Sequence, residues 1–167
     1  MSKAKAKSSE DTVTLTNATV TEYVASLSRY KCEQPPRSAG VEALEKKLGG
    51  RFPEVMRQIF LKHGGLSFWS EQMSFSELRE TAKQVRDFPE WIKDYLPFYR
   101  EGGTMYLVRK SDSEVADPAT YYYEFNAGMK APATFTKSFT DYVRRGYELR
   151  KQYLEDNPDE QEDLGAP

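Results

Sequence analysis

The chain has 167 residues, of which 38% are apolar and 30% are charged, a length that corresponds to one ordinary domain. Its 22 aromatic residues (11 Tyr, 9 Phe and 2 Trp) provide more buriable surface than a disordered chain carries. No stretch of more than ten residues lacks a charged side chain, which excludes a membrane-spanning helix. The N-terminus has lysines but no apolar run after them, so we expect no secretory signal.

Charge is unevenly distributed along the chain. Residues 155–167 hold six acidic residues and no base, whereas residues 12–154 hold 21 Lys or Arg against 18 Asp or Glu, a net charge of +3. Positive and negative charges in residues 12–154 are nearly balanced. This is typical neither of a nucleic-acid binder nor of an acidic mimic of nucleic acid. We therefore predict no direct contact with nucleic acid and none with a membrane.

The only cysteine and the only histidine are the residues to weigh for catalysis. Cys32 cannot form an internal disulfide, which is compatible with a reducing compartment, and we predict a cytoplasmic protein. A single histidine, His63, excludes a His-rich metal site. Cys32 lies in a polar connector, residues 31–37, that is expected to be mobile, and His63 directly precedes a helix-ending glycine. We therefore predict no catalytic residue, no cofactor and no metal.

One predicted loop carries three acidic residues, Asp112, Glu114 and Asp117, at a spacing loosely similar to that of a calcium loop. It lacks the central glycine and the closing bidentate glutamate of such loops, so we predict no bound ion there.

Apolar spacing predicts helices in the first half of the chain. We expect a flexible N-terminal segment over residues 1–18, a folded domain over residues 19–154 and a flexible acidic tail over residues 155–167. A capping box at Thr19 and Glu22 predicts a helix over residues 19–28. Ser38 is expected to cap a second helix that ends at the glycine pair 49–50, and Pro53 begins a third that ends at the pair 64–65. Val55, Met56, Ile59 and Phe60 form one apolar stripe on that third helix.

The second half of the chain carries the strand signals. We predict a short strand at residues 66–69, a helix capped by Ser74, a brief helical turn containing Trp91 and Ile92, a hairpin of residues 104–109 and 120–126 with a long turn, and a last helix from Ser138 to about residue 154. On that last helix, Phe139, Tyr142, Val143 and Gly146 face one way. Helices, strands and a helix follow one another without strand–helix–strand alternation. This order predicts an α+β fold, a small antiparallel sheet packed against several helices.

The most informative strand contains three consecutive tyrosines. Because side chains alternate between the two faces of a strand, Tyr121, Tyr123 and Phe125 share one face, which we assign to the core. Tyr122 and Glu124 then point outward or into a groove. Tyrosine is enriched in protein recognition. Stacking on nucleic-acid bases is the competing interpretation, and the negative charge of Glu124 disfavours it.

Three segments, taken in order, resemble one family. Residues 41–69 (VEALEKKLGGRFPEVMRQIFLKHGGLSFW), residues 95–108 (YLPFYREGGTMYLV) and residues 133–147 are similar to the opening helices, the Leu-Pro and Gly-Gly strand segment and the closing helix of SUKH superfamily domains of the Smi/Knr type. The likeness spans about 110 residues. Each motif alone consists mostly of apolar and glycine positions, which many folds require. The resemblance therefore rests on the order and spacing of the three motifs.

The resemblance implies a binding domain that catalyses no reaction. Bacterial members are mostly immunity proteins that bind and neutralise a cognate secreted toxin, often a nuclease, and eukaryotic members include regulators that act as interaction hubs. We therefore predict an immunity protein whose partner is a toxin domain and which blocks the active site of that toxin. The alternative is a non-enzymatic regulatory scaffold that binds a self protein with help from the acidic tail. A small hydrolase or nucleic-acid enzyme is the third hypothesis.

A blocking interface needs aromatic or arginine anchors near its centre. The candidates from the sequence are Tyr122 and Glu124 on the strand, Trp69 after the third helix, and Tyr99 with Arg100 before the glycine turn at 102–103. Core packing is the competing role for Trp69 and Tyr99, and an ordinary surface position for the other three.

Overall fold

The computed structural model describes residues 15–68 and 71–160 and confirms the predicted α+β class. Within this part of the chain, five α helices pack with two antiparallel sheets. The helices are α1 (Val20–Ser26), α2 (Ser38–Leu48), α3 (Glu54–His63), α4 (Phe75–Ala82) and α5 (Phe139–Asp156), and the strands are β1 (Gly65–Phe68), β2 (Glu71–Ser74), β3 (Tyr95–Glu101), β4 (Thr104–Arg109), β5 (Thr120–Glu124) and β6 (Ala133–Thr136).

The larger sheet has four strands in the order β3-β4-β5-β6, and β1 and β2 form a separate hairpin. Tyr106 of β4 pairs with Tyr99 of β3 on one side and with Tyr122 of β5 on the other, so these three tyrosines form one row across the sheet. The predicted hairpin of β4 and β5 is confirmed. The sequence predicted neither β3 as a strand nor the short strands β2 and β6.

Strand β3 escaped prediction because Pro97 interrupts its pattern. Proline is tolerated in an edge strand or at a bulge, and β3 is both, since it lies at the edge of the sheet and its register shifts between Pro97 and Tyr99. The extra residue at the bulge is Phe98. The bulge turns Phe98 and Tyr99 toward the same side, where Phe98 contacts the ring of Tyr142 at 5.1 Å and Tyr99 stacks on Tyr106 at 5.3 Å.

Two of the predicted helix caps are confirmed and two are wrong. The Ser74 hydroxyl accepts a hydrogen bond from the Glu77 amide at 3.3 Å, and Ser138 begins α5 in the same way. Thr19 makes no side-chain cap on α1, because its hydroxyl bonds to the backbone of Thr16 in the preceding turn. Ser38 is the first residue of α2 and does not cap it.

The main core lies between the helices and one face of the larger sheet. The stripe predicted on α3 is fully buried there, with Val55, Met56, Ile59 and Phe60 each at 0% exposure. Gly146 lets α5 approach the β1–β2 hairpin closely, because a Cβ at this position would lie 2.9 Å from the ring of Phe68. The predicted inward face of α5 is confirmed: its buried residues are Phe139, Tyr142, Val143 and Gly146.

Packed structure extends past both predicted domain boundaries. Leu15, within the segment predicted to be flexible, is 4% exposed and belongs to the main core. At the other end, the first residues of the predicted tail continue α5 to Asp156, and Pro158–Glu160 forms a short 3₁₀ helix. The Tyr153 hydroxyl bonds the carboxylate of Glu160 at 2.9 Å, which holds this turn against the end of α5.

Candidate protein-binding surface

The two faces of the four-stranded sheet are covered to very different depths. We call the face that packs on α5 and the main core the inner face; its buried residues include Leu96 and Val108. The opposite, outer face is covered by the segment of residues 85–94, which contains two short 3₁₀ helices, Val85–Asp87 and Glu90–Asp94, and Met129 from the loop after β5 also packs there. A small second core lies under that segment, formed by Phe88, Ile92, Met105, Leu107, Tyr121 and Tyr123.

Strand β5 places its side chains as the alternation predicts. Tyr121 and Tyr123 are buried on the outer face, and Phe125 packs against the same core. Tyr122 and Glu124 belong to the inner face. Glu124 is exposed, whereas Tyr122 is half-buried with its ring 6.1 Å from that of Phe135 on β6.

The remaining sequence candidates do not join Tyr122 and Glu124 in one patch. Tyr99 is 5% exposed and is stacked on Tyr106, so it presents little area to a partner. Arg100 points to the outer face, since it pairs with Met105 in the β3–β4 register. Trp69 lies outside the described residues. The candidates with a described position are therefore divided between the two faces of the sheet.

A line of aromatic rings with an arginine at each end crosses the outer face. We call it the arginine–aromatic stripe, and it consists of Arg109, Tyr95, Tyr121, Tyr123, Trp91, Phe125 and Arg100. The Arg109 guanidinium lies 4.8 Å from the centroid of the Tyr121 ring, and Arg100 lies 5.3 Å from that of Phe125. Such contacts position a guanidinium without neutralising its charge.

The centre of the stripe is Trp91, which is 43% exposed. Its ring meets the buried ring of Tyr123 edge to face, with centroids 6.2 Å apart. One side of the indole is thus supported by the second core and another side faces solvent. Exposed tryptophan on a supporting aromatic layer is a common feature of protein-binding anchors.

Both arginines are held by neutral groups. A hydrogen bond with Tyr95 raises the pKa of Arg109, and the adjacent Tyr121 adds to the effect. Arg100 donates to the side-chain carbonyl of Gln84 at 2.9 Å and to the backbone carbonyl of Gly102 at 3.3 Å. The two cations are therefore oriented before any partner arrives.

Sequence reasoning identified Arg100 but missed Trp91, Tyr95 and Arg109. Strand alternation could have placed Arg109 beside Tyr121, had the register of the hairpin been known. The sequence predicted a brief helical turn at Trp91, which the 3₁₀ helix Glu90–Asp94 confirms, but no local signal showed which face of the sheet this turn covers.

A groove of about 370 Å³ runs between α4 and β3 and adjoins the Arg100 end of the stripe. Among its lining residues are the hydroxyl of Thr81, the amide of Gln84 and the carboxylate of Glu77. A mostly polar lining of this kind does not resemble the apolar pockets that hold small molecules.

Cys32 and His63 are both committed to structure. The His63 ring nitrogen Nε2 lies 2.7 Å from the carbonyl oxygen of Val24, and the imidazole is buried. Burial, and secondarily the charge of Glu33, raises the pKa of the Cys32 thiol to about 11, so the thiol is neutral at physiological pH. This environment opposes a thiolate nucleophile.

The connector that carries Cys32 is not the mobile segment that the sequence predicted. Lys31 forms an isolated bridge with Leu66, and the amides of Cys32 and Glu33 donate to the carbonyl of His63. The Glu33 carboxylate in turn accepts hydrogen bonds from Ser76 at the start of α4. These backbone and side-chain bonds fix the segment against α3 and α4.

The three loop carboxylates do not converge. Asp117 accepts hydrogen bonds from the Thr140 amide and hydroxyl at 2.9 and 2.6 Å and so ties the loop to the start of α5. In residues 15–68 and 71–160, no three His, Cys, Asp or Glu side chains are grouped as a metal site. No helix in that part of the chain is long and apolar enough to cross a membrane.

Fold and surface together define a small α+β domain that presents an aromatic and arginine surface on a thinly covered sheet. Comparison with family models places this architecture: the chain belongs to the SMI1/KNR4 family (SUKH-1), whose model matches residues 35–145. The matched region runs from just before α2 to the middle of α5 and includes both sheets. Comparison with curated proteins finds no match.

Proposed function

We propose that this protein is a cytoplasmic immunity protein that binds a cognate secreted toxin domain and covers its active site. Membership of the SMI1/KNR4 family supports this proposal, because the bacterial members that the sequence resembles are mostly immunity proteins. The chain acts through a surface and transforms no substrate.

The observation that carries the proposal is the arginine–aromatic stripe. A protein–protein interface of ordinary size buries roughly 800 Å² on each partner, and its energy is concentrated in a few Trp, Tyr and Arg residues. The outer face offers these residue types side by side, with Trp91 43% exposed at the centre. The environments of Cys32 and His63 support the non-enzymatic part of the proposal.

Co-expression tests the function. The partner to use is the C-terminal domain of a large secreted protein, if one is encoded immediately upstream of this chain. We expect that domain to arrest growth when expressed alone, this chain to restore growth, and the two proteins to copurify as a stable complex. Growth arrest that persists at equal expression, with no complex on size-exclusion chromatography, would contradict the proposal.

The inner-face pair Tyr122 and Glu124 is a second candidate contact. A toxin that docks on the inner face instead of the outer face would bind about tenfold more weakly after both residues are replaced by alanine. The measurement is the dissociation constant by calorimetry. A matched variant, Tyr122→Phe with Glu124→Gln, keeps the ring contact with Phe135 and removes the polar groups. An unchanged affinity in the alanine variant removes this pair from the interface.

A further inference from the structure

We propose that the arginine–aromatic stripe is the docking surface and that it recognises an acidic protein surface. On this surface, carboxylates flank an apolar recess that receives Trp91. The inference rests on the proposed function and adds to it the face that is used and the chemistry of the partner.

The first argument is the unmatched positive charge. Arg109 and Arg100 have no carboxylate within 4.0 Å among the described residues, and each guanidinium is held over an aromatic ring. Asp112 affects Arg109 only through its more distant charge, as the weakest of the causes that raise the pKa of the guanidinium. A guanidinium that is oriented but not ion-paired can form the bidentate contact that carboxylates favour.

The second argument is the spacing of the anchors. The two arginines lie over Tyr121 and Phe125, four residues apart along the chain, and Trp91 contacts the intervening Tyr123. At strand rise, four residues span about 13 Å, which fits within one ordinary interface. A partner can therefore meet both cations and the tryptophan at once.

The third argument separates an acidic protein from other occupants. Single-stranded nucleic acid also stacks on aromatic rings, but its binding sites follow the backbone with a groove of many cations, whereas the stripe carries two arginines. A second copy of this chain would bring the same uncompensated arginines toward each other, at an electrostatic cost. A protein that places carboxylates opposite Arg109 and Arg100 satisfies both charges.

The test measures the affinity of the full chain for the toxin domain by calorimetry. We expect Trp91→Ala to weaken binding at least about thirtyfold and Arg109→Gln about tenfold, with Arg109→Lys between Arg109→Gln and wild type. The matched control is Arg144→Gln. Arg144 is an exposed arginine on α5, on the other side of the sheet. We expect the affinity of this variant for the toxin domain to stay within twofold of wild type. Urea unfolding of each variant checks that the fold is intact.

The outcomes separate this inference from the proposed function. If the toxin binds and the stripe variants bind as tightly as wild type, the stripe is overturned and the immunity function stands. The same holds if the Tyr122 and Glu124 alanine variant loses more affinity than Trp91→Ala.

If no toxin binds, the function fails and the stripe is tested by poly-L-glutamate instead. The readout is the indole N–H resonance of Trp91, assigned with Trp91→Phe. A salt-sensitive shift that Arg109→Gln abolishes and Arg144→Gln retains supports an acidic ligand. The inference is overturned if poly-L-glutamate causes no shift. It is also overturned if oligothymidine causes a larger shift, which indicates a nucleic-acid ligand, or if the chain forms a dimer that Trp91→Ala dissociates.

Discussion

At the scale of single residues, the chemistry of this protein is decided by what surrounds each polar group. Cys32 is kept neutral by its surroundings, and Arg109 is kept charged by its own. Partial burial beside Glu33 keeps the Cys32 thiol protonated, whereas neutral aromatic neighbours keep Arg109 charged and oriented at the surface. The sequence specifies both residue types, but neither environment is visible in it, because the neighbours come from distant parts of the chain.

The raised pKa of Cys32 predicts a slow thiol. At pH 8 we expect Ellman's reagent to react with the native protein at least about tenfold more slowly than with N-acetylcysteine, since the thiolate is the reactive form. Adding urea should restore the fast rate by exposing the thiol. A fast reaction of the native protein at pH 8 would contradict the assignment.

The same shift sets a pH dependence of stability. The ordinary pKa of the thiol is 9.0 and the folded value is about 11, so between these values the unfolded chain releases a proton that the native protein retains. Proton loss favours the unfolded state, and the contribution of Cys32 to the free energy of unfolding therefore falls as pH rises from 9 to 11. The Cys32→Ala variant lacks this thiol. Its free energy of unfolding, measured with urea, should therefore fall less between pH 9 and pH 11 than that of wild type.

At the scale of elements, two tertiary contacts hold segments that the sequence treated as loops. Asp117 holds the loop before β5 to the N-terminus of α5, and Glu33 holds the connector before α2 to the N-terminus of α4. Each carboxylate accepts the hydrogen bond of a helix amide that would otherwise lack a partner. Both carboxylates thus stabilise the fold, whereas composition alone would place them on an ordinary solvated surface.

Removal of the Asp117 carboxylate tests this. We expect Asp117→Ala to lower the free energy of unfolding by about 1–2 kcal/mol, because the Thr140 amide loses its acceptor and the Thr140 hydroxyl keeps only the Ser138 hydroxyl as a partner. Glu114→Ala is the matched control, an exposed carboxylate in the same loop, and it should change stability by less than about 0.5 kcal/mol. Equal effects of the two variants, measured by urea unfolding, would argue against the tie.

The β1–β2 hairpin depends on Gly65. Its φ is +124°, and a Cβ at this position would lie 1.6 Å from the carbonyl oxygen of Met73. We expect Gly65→Ala to cost more than about 3 kcal/mol. Gly102→Ala is the control, since Gly102 also has a positive φ but no atom within 4 Å, and its cost should be about 1 kcal/mol. If Gly65→Ala is insoluble while Gly102→Ala folds, the ranking still holds; equal stabilities would contradict it.

At the scale of the whole molecule, the acidic C-terminus distinguishes the proposed function from a regulatory scaffold. Six acids lie within residues 155–167, and those up to Glu160 continue or adjoin α5. A scaffold that uses the tail as a contact needs the remaining acids, Glu162 and Asp163. A domain that binds through the outer face of the sheet does not.

Truncation after Glu160 therefore should leave toxin neutralisation and affinity unchanged. Truncation after Leu154 is the comparison variant, because it removes Glu160 and the hydrogen bond from Tyr153, and we expect a small loss of stability with binding retained. The measurements are growth rescue and urea unfolding. Loss of binding on removal of residues 161–167 would favour the scaffold instead.

The sequence alone determined the local architecture of this protein. Helical spacing located the buried stripe of α3, capping residues located the starts of α4 and α5, and alternation separated Tyr121 and Tyr123 from Tyr122. These features succeed because each depends on residues within one or two turns or along one strand. Order and spacing of motifs also led to the family that the chain belongs to.

Only the tertiary structure decided which residues share a surface. It placed Arg100 and Tyr122 on opposite faces of the sheet, and it brought Trp91, in a short 3₁₀ helix, against Tyr123, 32 residues later in the chain. The physical reason is that strand register, the bulge at Phe98 and the depth of cover on each face depend on contacts between residues far apart in the chain. A local pattern holds no information about those contacts, and the arginine–aromatic stripe exists only through them.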